Sequence, residues 1–444
     1  MLTHEDLMDA APRLGLEHAH NRKDYKNSIG RAVIRGVYQG TRAVAVSGDT
    51  KLMCASLIDL LDLHASGQPA PAGASVAPDE VTMLFAADPA HREGPDALRT
   101  LASSMVTGPS VNLVEVAPDG TAAAVEAEPV DFGAGADPAK EYRYTRWHDL
   151  LMGVASPPAL LAEIIDKVGR PELRAYPQLT AKGEWSLRVE GVEAGRYARG
   201  RLTLSVGKDG SADPVTGTRR MSSPRTKWQQ ATGLTSPLVI SEDDDLSAGV
   251  TALAAFADAW LPARKTLSAA AKQEEHALES RVLRGLVPLT PRGGGRLQVL
   301  DPGEHGGDHR GIVNWGSQFP TRWGHDGGNS ARYLDALLRD GDTPWALELK
   351  AALPGSGLRA YYRHAVGQAV LYRQFIKTAT PLRPWFDRYG LDQAKVRAAV
   401  VIPEPTAGPA DLVDRQAALC RMFGLELFWV SDTYAALHAI PYEA

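Results

Sequence analysis

Alternation of apolar and polar positions is clearest in the last third of the chain. In Ala346-Leu347-Glu348-Leu349-Lys350, a period of two sends Leu347 and Leu349 to one face of a strand and Glu348 with Lys350 to the other. Residues 331–338 read as a second strand, and Arg339-Asp340-Gly341-Asp342-Thr343 supplies turn residues between the two. With Gly341-Asp342 as a two-residue loop, Asp340 pairs with Thr343, and counting outward sets Asp335 opposite Glu348. A helical segment holding Gln368 and Tyr372 follows, four residues apart and hence on one face. The chain closes as a strand over 396–402, a helix near 412–423 and a strand over 425–430.

Earlier segments give a coarser pattern. Residues 1 to about 65 read as mostly helical, with one short strand at 43–46. Ala, Pro, Gly and Ser crowd residues 65–78 and mark a loop. Strands are expected at 81–85 and 111–116, a break at 132–138, and a helix over 159–166 with Pro158 suited to its first turn. Period-two runs at 185–192 and 200–206 predict a hairpin. The acids at 242–245 and Ser247 suit a helix N-terminus. A domain boundary is placed there, giving an N-terminal α/β or α+β domain over 1–243 and a C-terminal domain over 244–444 whose helical lead-in spans 244–285. The first 240 residues show neither a catalytic constellation nor an internal repeat.

Composition narrows the class without naming a function. With 44% hydrophobic and 23% charged residues, the chain is globular rather than disordered or fibrous. Cys54 and Cys420 are solitary, so no disulfide framework or Cys-based zinc site is indicated. No apolar run reaches the length of a membrane span, and the N-terminus lacks the pattern of a signal peptide, so a cytoplasmic location with no membrane partner is expected. The net charge of −5 does not mark a nucleic-acid binder, but charge is local. Between Arg359 and Arg397, eight Lys or Arg residues, Arg363 and Arg373 among them, face only Asp387 and Asp392. Tyrosines and Trp385 interleave this basic stripe, which suits a phosphate backbone. A second basic run, 218–228, ends in Trp228 and reads as a loop able to grip backbone or stack on a base.

Two acids facing each other across a ladder repel, and a divalent cation between them removes that cost. Mg²⁺ or Mn²⁺ suits such a pair, since Mg²⁺ binds through one or two carboxylates and keeps sites for water and phosphate. Lys350 beside them could polarise water or stabilise charge on phosphate. Asp24-x-Lys26 and Asp49-x-Lys51 match the same short pattern but follow no acidic hairpin strand, and read as surface or turn residues. Asp335 with Glu348-x-Lys350 resembles the PD-(D/E)XK nuclease superfamily, and Gln368-x-x-x-Tyr372 is similar to the added motif of its RecB-like branch. Leu334 stands where the family name has Pro.

The resemblance covers roughly 265–444. It implies an α/β fold whose C-terminal domain is a restriction-endonuclease-like α/β/α sandwich. It implies a metal-dependent DNA nuclease, in a restriction, repair or phage-defence setting. Asp335 and Glu348 would be the metal ligands and Lys350 the catalytic ammonium. Glu279 on the preceding helix would complete the site, with Glu275 or His276 as alternatives. Gln368 and Tyr372 would face DNA, joined by Arg363 and Arg373 of the basic stripe on its own charge pattern, and the N-terminal domain is expected to recognise substrate or a protein partner. The rival expectation is a nucleic-acid-binding or scaffolding subunit that keeps the fold without turnover. A further group, Asp301, Glu304, His305, Asp308 and His309, sits among glycines as a weaker metal candidate.

Overall fold

Three β-sheets organise the chain in a computed structural model that describes residues 2–20, 31–87, 93–131, 157–178, 183–206, 224–263, 274–300, 317–321, 332–350, 358–403, 412–430 and 439–441. The first sheet takes its strands in sequence order: β1 (Leu16–His20), β2 (Ile34–Tyr38), β3 (Thr41–Gly48), β4 (Glu80–Ala87), β5 (Ser110–Val116) and β6 (Ala122–Val125). β3, β4 and β5 run parallel through helices α2 (Thr50–Ala65) and α3 (Glu93–Ser103), while the outer pairings are antiparallel. Helix α1 (His4–Ala10) covers the opposite face.

The expected helical start is thus corrected: three strands lie within residues 16–48. β3 is buried on both faces over its first six residues, so it reads as a continuous apolar run rather than an alternation. The turn before it, Gln39-Gly40, has both φ angles positive (48° and 76°), the backbone that closes a two-residue hairpin.

The second sheet is an antiparallel meander of β7 (Leu173–Pro177), β8 (Trp185–Val189), β9 (Val192–Ala198), β10 (Arg201–Leu204) and β11 (Leu238–Ser241). Helices α4 (Ala159–Val168), α5 (Pro224–Thr232) and α6 (Ser247–Ala263) share its core. Strand β9 intervenes where a direct hairpin between 185–192 and 200–206 was expected. The boundary expected at 243 falls inside this unit, because Ile240 of β11 and Phe256 of α6 pack into one core.

The third sheet is ordered β12 (Gln298–Val299), β14 (Arg332–Asp340), β15 (Thr343–Leu349), β16 (Arg397–Pro403), β17 (Glu426–Val430), β18 (Ala439–Pro441), and β13 (Ser317–Thr321) also pairs with β14. Helix α7 (Glu274–Val282) packs Leu278 and Val282 on one face. Helix α8 (Leu358–Thr378), the short α9 (Arg383–Arg388) and α10 (Leu412–Met422) cover the other. The C-terminal region is therefore an α/β/α arrangement of mixed strands.

The first and third sheets are not separate bodies. Their helical faces meet in one core that joins Leu57, Ile58 and Leu101 to Val366, Val370 and Phe423. α8 lies on α2, and α8 also touches α3 while α10 touches α2. Gly367 faces Ile58 and Leu101 at this contact, where a Cβ would meet both at van der Waals distance. Asp59 and Asp62 of α2 are paired with Arg363, and Asp62 also with Arg415, which stitches the two units by charge as well. Among the described residues no helix is long and apolar enough to cross a membrane.

Candidate active site

β14 and β15 pair as the turn residues dictate, with Asp340 opposite Thr343 and the ladder continuing to Ala336 opposite Leu347. The paired ladder ends there; Asp335 lies one residue beyond it, close enough to Glu348 for the two charges to act on each other and with Lys350 between them. The backbone N–H of Leu349 donates to Asp335 Oδ2 at 2.8 Å, tying the acidic side chain to the opposing strand between Glu348 and Lys350. Lys350 continues the parallel ladder, its N–H donating to the carbonyl of Val401 at 2.9 Å.

The Lys350 ammonium sits among three carboxylates. It pairs directly with Glu348, lies 3.6 Å from Glu275 and 3.9 Å from Asp335, and donates to the Leu349 carbonyl at 3.0 Å. Glu348 and Lys350 are 1% and 3% exposed, so this charge pair is held out of water, where electrostatic interactions gain strength. Burial pushes the Asp335 carboxyl well above the usual carboxylate range, and the Glu348 charge pushes it further; Lys350 opposes, and Glu275 and Glu279 add to the rise.

Helix α7 brings the remaining acids. Glu275 is the one that reaches Lys350, while Glu279 is buried one turn later with His276 Nδ1 at 3.2 Å from its carboxylate. The expected role of Glu279 is thus modified: it borders the centre and bears on Asp335, and Glu275 makes the closer contact. α7 is anchored from outside its own sheet. Arg281 pairs with Glu190 and Arg284 with Glu172, both on the second unit, and Gly191 lies under the backbone of His276. A Cβ on Gly191 would stand 2.5 Å from the His276 carbonyl. Sequence reasoning missed this docking; the Glu190-Gly191 turn, both residues of which have positive φ, gave no pattern that pointed to it.

The residues expected to face nucleic acid do not form one surface. Arg363 is engaged by Asp59 and Asp62, so its charge is neutralised inside the protein. Arg373 donates to the carbonyls of Phe423 and Gly424 at 2.9 and 3.3 Å, closing the end of α10. Tyr372 is buried in the shared core, and half-buried Gln368 donates to its hydroxyl at 3.3 Å, so the pair braces α8. Trp228 lies in helix α5 rather than a loop, buried with its ring edge-on to Phe256. Asp49 caps α2 by accepting from the N–H of Leu52. The cluster Asp301 to His309 and the triplet Asp24 to Lys26 lie outside the described residues.

Among the described residues, no three His, Cys, Asp or Glu side chains form a ready-made metal cage. The donor set nonetheless fits a hard, hydrated cation: the two neighbouring carboxylates of Asp335 and Glu348 match the sparse protein ligation that Mg²⁺ uses. No family model, no curated protein and no solved structure matches the chain.

Proposed function

We propose that the protein is a metal-dependent deoxyribonuclease that hydrolyses phosphodiester bonds at Asp335, Glu348 and Lys350, on a restriction-endonuclease-like C-terminal unit. The observation that carries this reading is the neighbouring pair of carboxylates on one hairpin with a buried ammonium within 4 Å of both. Two acids crowded into low dielectric are costly for stability, and such costs concentrate where chemistry needs them.

Asp335 and Glu348 would hold Mg²⁺ or Mn²⁺. When bound, such an ion polarises a phosphoryl oxygen and lowers the pKa of a coordinated water. Lys350 supplies a fixed positive charge at the centre, where negative charge builds on the phosphorane-like transition state. Glu275 and Glu348 flank that ammonium and keep it oriented. The N–H of Leu349 fixes the rotamer of Asp335, so the ligand is aimed before substrate arrives. α7, clamped by Arg281 and Arg284, keeps Glu275 and Glu279 in place.

Purified protein incubated with linear, circular and single-stranded DNA in Mg²⁺, Mn²⁺ or EDTA tests the proposal. Cleavage that needs the metal and disappears in Glu348→Gln supports it. Tight DNA binding with no cleavage under any metal would favour the scaffolding alternative instead.

A further inference from the structure

The first and third sheets repeat one path. α1 precedes β1, β2 and β3; α2 leads to β4, α3 to β5, and β6 closes the edge. α7 likewise precedes β12 to β15; α8 leads by way of α9 to β16, α10 to β17, and β18 closes the edge. Directions agree throughout: antiparallel, then parallel twice, then antiparallel. The registers agree as well. Aligning the hairpin pair Tyr38–Thr41 with Asp340–Thr343 sets Val46 on Glu348, and each of those residues has its partner in the next parallel strand, Phe85 and Val400.

The two copies meet as two subunits of a symmetric dimer meet. α2 contacts its counterpart α8, and the cross contacts are reciprocal, α8 with α3 and α2 with α10. That exchange is the mark of an isologous interface. At the positions aligned with Asp335, Glu348 and Lys350 the chemistry is not repeated. The alignment places Val33, Val46 and Gly48 where the third sheet has Asp335, Glu348 and Lys350. Val33 and Val46 are buried in apolar surroundings, and Gly48 has φ +148°, a backbone that a lysine would occupy only with strain.

We infer that residues 4–125 are a chemically silent second copy of the nuclease-like unit, fixed where a partner subunit would sit, so that the protein breaks one strand of a duplex per encounter. The inference rests on the nuclease reading and extends it to substrate handling. The strands of a duplex are antiparallel, and cutting both at once calls for two centres related by a two-fold axis, as palindromic sites are matched by symmetric dimers. Here the backbone supplies that relation and the side chains supply one centre. The silent copy also occupies the α8 and α10 face, which closes it to a second catalytic chain. Each event consumes one water: a new P–O bond forms at phosphorus, the bond to the leaving sugar oxygen breaks, and a phosphomonoester and a hydroxyl remain.

The test uses the full chain in excess over supercoiled plasmid, and over a linear duplex carrying a different fluorophore on each strand, with Mn²⁺. Nicked circles should accumulate before any linear form, or, if only linear ends are attacked, one labelled strand should be lost while the other persists. Linear plasmid appearing without a nicked precursor, or concerted loss of both labels, would overturn the inference while leaving the nuclease reading intact. In parallel, Mn²⁺ binding followed by electron paramagnetic resonance should vanish in the Asp335→Asn, Glu348→Gln double variant. Binding that survives this change and also the replacement of Asp301, Glu304, His305, Asp308 and His309 would show a metal centre in the first copy and overturn its silence. Absence of both cleavage and Mn²⁺ binding in the parent protein would bring down the nuclease reading and this inference together.

Discussion

Asp335 accepts the backbone N–H of Leu349 across the β14–β15 hairpin, which aims one acid at the gap between Glu348 and Lys350 on the opposite strand. The consequence is measurable without substrate. Asp335 has its carboxyl raised by burial and by Glu348. A raised folded-state value means that the native state binds the proton more tightly than the unfolded chain, so stability is intact below the ordinary carboxylate value and falls as pH rises through the folded one. Asp335→Asn keeps an acceptor for Leu349 and removes the charge. In EDTA its Tm at neutral pH should exceed that of the parent, and the gap should close in acid. Mn²⁺ should raise the parent Tm and move the variant little; equal metal-induced shifts in both proteins would refute the site.

The surroundings of Lys350 tie it to folding as well as to the proposed chemistry. Removing it leaves the buried Glu348 charge without its ion partner, a loss of about 3–5 kcal/mol for buried pairs. Lys350→Ala should therefore lower cleavage by at least roughly 10²-fold, the scale of losing an electrostatic group in a site, and also lower Tm. Glu348→Gln combined with Lys350→Met should recover much of the Tm and none of the activity. Full activity in either variant would remove Lys350 from the chemistry.

Charge reversal at Arg363 should act on folding rather than on DNA affinity. Asp59 and Asp62 would then face a third carboxylate across the α2–α8 contact. A lowered denaturation midpoint is expected, with the salt dependence of DNA binding by the folded fraction unchanged. A reduced salt slope with parental stability would return Arg363 to the nucleic-acid surface.

Gly191→Ala tests whether the second unit positions the acidic helix. The position has φ +87°, and the added methyl group would press on the His276 backbone. α7 must shift, taking Glu275 with it. The expected result is a lower kcat with little change in KM, since the substrate-binding surface is untouched, together with a changed pH profile as the charge near Asp335 moves. Unchanged kcat would mean that the docking is structural alone.

How far the sequence foretold this arrangement depends on which forces set each part. The hairpin was legible to the residue because Gly341-Asp342 fixes a short loop, and period two does the rest. The strand–helix–strand ending was legible for the same local reasons. The first half was legible in part: the strands expected at 43–46, 81–85 and 111–116 fall within β3, β4 and β5, while β1 and β2, whose burial does not alternate cleanly, were missed. The repeat was hidden more deeply: between residues 32–48 and 334–350, aligned through their turns, the one identical pair is Thr41 and Thr343. The arginines misled because their partners lie far away in sequence. Asp59 and Asp62 are some 300 positions before Arg363, and no local pattern reports them.

The core shared by the first and third sheets sets a demand on synthesis. Leu57, Ile58 and Leu101 need the α8 and α10 side chains to cover them, and those emerge only after Leu358. At about 5–20 residues per second, the ribosome leaves that apolar face bare for on the order of tens of seconds. A nascent chain in that interval presents a sticky half-interface to its neighbours on the same message. Widely spaced ribosomes or a holding chaperone would protect that face during the interval, and fragments ending before residue 358 should aggregate rather than fold.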